Sequence, residues 1–177
     1  MRVMKFRTLL DTEDDVFRDI EIPEDSTLQD LHEQVQKAFG LSGQEMSSFY
    51  RSDDQWNKGE EFPLIDMGDE EEAQKTMDQI PLHELVGEEE ELKLIYVYNF
   101  LNMWIFCLDF VKRFEPEPDR DYPRVAMSIG EPPQESADDI DPLKGLDLGE
   151  GNNGEDNSNG RDEGDVGSDV DDLFKDL

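Results

Sequence analysis

Two histidines, one cysteine and a run of aromatic residues are where this chain of 177 residues has chemistry to offer. His32 and His83 belong to no His-x-x-x-His or Cys-x-x-Cys pattern, so a zinc site lacks ligands. His32 falls one step past Leu31 on a predicted helix and reads as a boundary residue beside an apolar stripe. Cys107 is the single cysteine and lies in an apolar run with no cationic cluster to stabilise a thiolate. It reads as a small buried hydrophobe, and no intrachain disulfide can form. The nucleophile pattern Gly-x-Ser-x-Gly and the phosphate-cradling Gly-x-x-x-x-Gly-Lys are both missing from the sequence. Acid clusters at residues 69–72 and 88–91 read as solvated loop charge. Glu155, Asn157, Asn159 and Gly160 fall at calcium-loop positions one, three, five and six, but Val166 stands at position twelve, where a bidentate glutamate is required. The expectation is therefore no catalytic residue, no metal and no cofactor.

Two groups of residues remain as candidates for binding. The first is Arg18, Tyr96, Tyr98, Asn99, Asn102 and Trp104. The aromatic members can frame a pocket at a hairpin, though such residues more often build core, with Trp104 the most exposed of them. Arg18 stands on an otherwise apolar strand face and must either pair with a buried acid or face a pocket. Asn99 and Asn102 flank the turn, where an amide bonds locally to the backbone and tolerates left-handed geometry. The second group is Val170, Leu173, Phe174 and Leu177 at i, i+3, i+4 and i+7. They form one apolar helical face with acids opposite. Such a segment can fold on docking into an apolar groove with a basic rim.

The elements that must carry these residues follow from periodicity. Met4, Phe6, Thr8 and Leu10 alternate as a strand, and Val16, Arg18, Ile20 and Ile22 define the face of a second, ended by Pro23. Ser26-Thr27-Leu28-Gln29 reads as a capping box. Leu28, Leu31, Val35 and Phe39 follow at helical spacing, and Gly40 closes the helix. Residues 46–51 read as a short strand, 67–77 as an acidic loop and 81–86 as a short helix opened by Pro81. Residues 92–98 and 103–111 are apolar on both faces, as strands in mid-sheet are, with a turn at Phe100-Leu101-Asn102. Residues 124–127 add a last strand. The predicted fold is an α+β domain over residues 1–135: a mixed β-sheet of about five to six strands, opening strand–hairpin–strand–helix, with one main helix packed on it.

Composition bounds the rest. Lys and Arg number 16 against 47 acids, a net charge of −31. That field repels phosphate backbones and anionic membranes, so neither nucleic acid nor membrane is an expected partner. Leu92 to Val111 has the length of a membrane span, but Lys93, Asp109 and a β-rich composition favour two strands. The charged start Met1-Arg2-Val3-Met4-Lys5 does not suit a signal peptide, and the chain reads as cytoplasmic. Residues 136–177 read as a disordered acidic tail rich in Gly, Asn and Asp, with the amphipathic motif at 169–177.

Three stretches carry a family resemblance. The first runs from Val16-Phe17-Arg18 through Pro23 to Thr27-Leu28-Gln29-Asp30-Leu31-His32 and Ala38-Phe39-Gly40. The second is Tyr96-Val97-Tyr98-Asn99-Phe100-Leu101-Asn102-Met103-Trp104. The third is Tyr122-Pro123 with Gly130-Glu131-Pro132-Pro133-Gln134-Glu135. Together they resemble the root-inducing-plasmid Orf-three-like family over residues 2–135. Its members are often labelled resolvase-type passenger proteins of insertion elements. The resemblance implies an α+β fold with a mixed sheet and carries over no reaction. The family pattern Tyr-Asp-Phe-Gly-Asp-x-Trp is here Tyr98-Asn99-Phe100-Leu101-Asn102-Met103-Trp104, with both acids replaced by amides. Histidines that the family often has after the helix are replaced within Glu45-Met46-Ser47-Ser48-Phe49. Of the paired arginines of the second strand only Arg18 is kept. The reading is a nonenzymatic binding or adaptor protein whose tail recruits a protein partner. The alternative is a mobile-element accessory protein or a hydrolase-like enzyme.

Overall fold

The computed structural model describes residues 1–69, 71 and 73–135. The chain divides into two units, Met1–Gln134 and Glu135–Leu177. The tail motif of Val170, Leu173, Phe174 and Leu177, the calcium-like loop and two of the acids at 69–72 lie outside the described residues.

Seven strands form one sheet in the order β4-β3-β5-β6-β1-β2-β7. They are β1 (Val3–Leu10), β2 (Phe17–Pro23), β3 (Ser47–Ser52), β4 (Lys58–Pro63), β5 (Lys93–Tyr98), β6 (Trp104–Phe114) and β7 (Arg124–Ile129). Every neighbouring pair is antiparallel. The helices are α1 (Leu28–Phe39) and α2 (Leu82–Val86), with a 3₁₀ turn at Met77–Gln79. This overturns the expected mixed sheet of five or six strands under one main helix. A parallel pair needs a crossover that returns beside the strand it left. Here α1 carries the chain from β2 to β3, with β5, β6 and β1 lying between them, so the crossover joins strands that are not neighbours. No described helix is long and apolar enough to cross a membrane.

The start of α1 is capped one residue later than the sequence suggests. Thr27 is the N-cap and Asp30 completes the box, its carboxylate accepting from Thr27 N at 2.8 Å. Gly40 ends the helix in left-handed geometry. The N-termini of the two helices are laced together, Leu28 N donating to Ile80 O and Leu82 N to Ser26 O. The core lies between α1, α2 and one face of the sheet, where Met4, Phe6, Ile20, Ile22, Leu94, Phe106 and Leu108 meet Leu28, Leu31, Val35 and Phe39. β7 forms one edge of the sheet. It pairs with β2 across a register shift between Asp19 and Ile20. Gly130, just past its end, sits at φ +72°, where an added Cβ would lie 2.2 Å from the Asp15 carbonyl.

Candidate functional site

β5 alternates Leu94, Tyr96 and Tyr98 toward the helices, so both tyrosines point into the core and are fully buried. Their hydroxyls end on polar groups. Tyr96 Oη is 2.7 Å from His32 Nδ1, and Ser47 Oγ approaches the same nitrogen at 3.4 Å. Rings of His32, Phe49 and Phe106 surround Tyr96, their centroids 5.6, 4.6 and 5.7 Å away. Tyr98 Oη is 2.8 Å from Ser42 Oγ and accepts from Gly43 N at 3.1 Å. It thereby pins the α1–β3 loop to the sheet. Gly43 is at φ +78°, and an added Cβ would come 3.3 Å from Gln36 Oε1.

Electrostatics close this polar nest rather than activate it. Burial holds the His32 imidazole down at about 4, so it is neutral at pH 7. Burial also pushes the Tyr96 phenol well above its ordinary range. A general base or acid must be poised near the working pH, and both groups are moved away from it. Cys107 is buried and pushed up to about 12, chiefly by desolvation, which leaves it an inert thiol.

The asparagines behave unlike each other. Asn99 is buried at φ +58°. Its Oδ1 accepts from Leu101 N and Asn102 N at 3.1 and 3.3 Å, and its own N–H donates to Met46 O. It shapes the β5–β6 turn from within, and its Nδ2 is left buried without an acceptor. Asn102 is exposed at the tip beside Phe100, Leu101 and Met103, all of them exposed as well. Trp104 is half-buried against the core and pairs with Tyr98 across the β5–β6 ladder.

Arg18 is engaged by main-chain carbonyls. Its Nε donates to Ala38 O at 3.2 Å, and its Nη1 donates to Phe17 O and Ile129 O at 2.9 and 2.8 Å. The guanidinium lies 5.2 Å from the Phe39 ring centroid. Burial lowers its pKa, partly offset by Glu131. Its position beside the last carbonyls of α1 favours a cation, and it ties α1, β2 and β7 together.

The structure thus brings Tyr96 and Tyr98 into one buried layer with the Asn99 turn at its end, and leaves Arg18 elsewhere on β2. None of the six residues lines either of two surface clefts, of about 390 and 460 Å³. The larger is bordered by Arg2, Glu24, His83 and Arg113, and the smaller by Arg51, Asp54, Glu90, Lys93 and Asp109. Among the described residues no three His, Cys, Asp or Glu side chains could hold a metal ion. Sequence reasoning missed His32 as the partner of Tyr96 by reading it as a boundary residue. It is 5 % exposed. The signal was available: His32 is four residues after Leu28 and three before Val35, within the apolar stripe of α1.

These features define an antiparallel-sheet domain with one helix-covered face and a sealed polar layer. The chain belongs to the plasmid pRiA4b ORF-3-like protein family, whose model matches residues 3–146. Its fold resembles the crystal structure of a protein of unknown function, MM3350, from Methanosarcina mazei Go1. That likeness has a TM-score of 0.60 at 18 % identity, over 72 % of this chain and 69 % of that one. No curated protein matches the chain.

Proposed function

We propose that this protein is a nonenzymatic binding or adaptor protein, working in the cytoplasm, that recruits a protein partner through its acidic tail. One observation supports the reading most: the hydroxyl and imidazole groups nearest to chemistry are engaged with each other in a buried layer. Tyr96 meets His32, which Ser47 also approaches, and Tyr98 meets Ser42 and Gly43. The amides at Asn99 and Asn102, where the family pattern has acids, agree with it. The partner would offer an apolar groove with a basic rim to Val170, Leu173, Phe174 and Leu177. Nucleic acid and membrane surfaces are disfavoured by the charge of −31. A pull-down with the full chain and with a chain lacking residues 165–177 tests this. A specific partner should be lost with the truncation and displaced by a synthetic peptide of residues 165–177. Hydrolytic activity in the purified chain that disappears in Tyr96→Phe would overturn the nonenzymatic reading.

A further inference from the structure

The two edges of the sheet are built differently. β4 carries Lys58, Glu60 and Glu61 and ends at Pro63, the charged and proline-closed form that keeps an edge from pairing. β7 reads Arg-Val-Ala-Met-Ser-Ile with no acid. It leaves Val125, Met127 and Ile129 exposed by 37, 47 and 43 %. Ile129 and Met127 stand opposite Phe17 and Asp19, and Val125 stands opposite Ile20 beyond the register shift. Apolar side chains therefore flank this edge on both faces. Its one charge, Arg124, is already bound to Glu21 at 3.0 Å. Acids lie at both ends of the strand: exposed Asp119 and Asp121 before it and exposed Glu131 after it. Arg120, between the first two, is paired with Glu117 at 2.7 Å.

We infer that β7 is an interaction surface that accepts, by strand addition, an extended segment of a partner with alternating apolar side chains and Lys or Arg at both ends. Main-chain hydrogen bonds supply the affinity, alternate side chains supply selectivity, and the acids at the strand ends meet the partner's cations. A second copy of this chain fits less well. An antiparallel pair of β7 strands sets the Asp119–Asp121 end of one beside the Glu131 end of the other, so like charges meet. Two chains at −31 also repel at longer range. Pro123 before the strand and Pro132 and Pro133 after it limit the pairing to the six residues of β7. The readout of this surface is confined to residues 124–129.

Backbone amide exchange of the full chain, followed by NMR during titration, tests the inference. The probes are a peptide Lys-Lys-Thr-Val-Thr-Val-Thr-Val-Lys-Lys and the same core flanked by Glu. The lysine-flanked peptide should slow exchange at residues 124–129 and bind about tenfold more tightly than the glutamate-flanked one. Met127→Lys, at an exposed position, should weaken that binding by about tenfold with an unchanged melting transition. If that variant unfolds, Ile129→Lys is read in the same way. Unprotected β7 amides, equal affinity for the two peptides, or full affinity in the lysine variants would overturn the inference. So would β7 protection that rises with protein concentration in the absence of peptide, which would give the edge to a second copy.

Discussion

The two faces of the sheet are held by different physics although the same strands supply both. Toward the helices β1, β2, β5 and β6 present Met4, Phe6, Ile20, Ile22, Leu94, Phe106 and Leu108, all fully buried. The other face is laddered by ions. Arg7 donates to both carboxylate oxygens of Asp19, at 2.8 and 3.0 Å. Lys93 lies 3.3 Å from Asp109, and Lys5 and Arg124 bracket Glu21 at 3.2 and 3.0 Å. Beside the charged rows runs an apolar one, Ile95, Cys107 and Leu9, which are register partners and all buried. The first face holds the fold by burying area, whereas the second pins register. A one-residue slip would move every charge onto the apolar side.

The comparison is broken most sharply on the helix face. Phe106 is fully buried and packs edge-on against Phe39 at 4.8 Å. Phe106→Ala should destabilise by about 3–5 kcal/mol, read as a lower denaturation midpoint at unchanged slope.

The polar layer within that face should show itself through pH. Burial depresses the folded-state pKa of His32 to about 4 from an ordinary 6.5. The unfolded chain therefore takes up the proton first. The stabilising contribution is complete above about pH 6.5, is lost as pH falls, and stops changing below about pH 4, a total of about 3 kcal/mol. Stability of the parent minus that of His32→Gln, measured across this range, should fall with that profile. A flat difference would show that the imidazole is not buried as a neutral group.

On the opposite face the expected effects shrink, because the cations there are partly exposed. Asp19 is buried and Arg7 about a third exposed. Asp19→Asn should cost about 1–2 kcal/mol, with the loss reduced at high salt. A loss as large as that of Phe106→Ala would mean that this face carries as much of the stability as the core.

The smallest effect belongs to the turn that joins the two central strands. Asn99→Asp keeps both bonds from Leu101 N and Asn102 N and removes the partnerless Nδ2, and Asn102→Asp changes an exposed group. Asn102→Asp alone should lie within about 1 kcal/mol of the parent, and the double variant, which also places a carboxylate at buried position 99, should show no divalent-metal binding by calorimetry. Metal binding would point to an acid-dependent site at this turn.

Much of the architecture was legible because it is local. Strict alternation marks β1, and the spacing of Leu28, Leu31, Val35 and Phe39 with Gly40 marks α1. The turn chemistry at Asn99 was legible too, since an Asx side chain bonds its own backbone. β4 was not. In Lys58-Gly59-Glu60-Glu61-Phe62-Pro63 the buried positions are Phe62 and Pro63 at the end, so an edge strand with mostly exposed positions leaves no alternation to read. The run of apolar residues in β5 and β6 suggested strands inside a mixed sheet. Its cause is that Ile95, Val97 and Cys107 are buried on the second face of an antiparallel sheet.

Sequence by itself determined the periods of β1 and α1, the glycine that closes α1 and the Asn99 turn, because each depends on neighbours within a few residues. Tertiary structure alone decided which residues meet. Tyr96 finds His32 across 64 positions of chain, and Arg18 joins a helix end to a strand 111 residues away. Strand order fixes both contacts. That order is set by which apolar faces can be buried together under α1, a choice made by the whole chain at once.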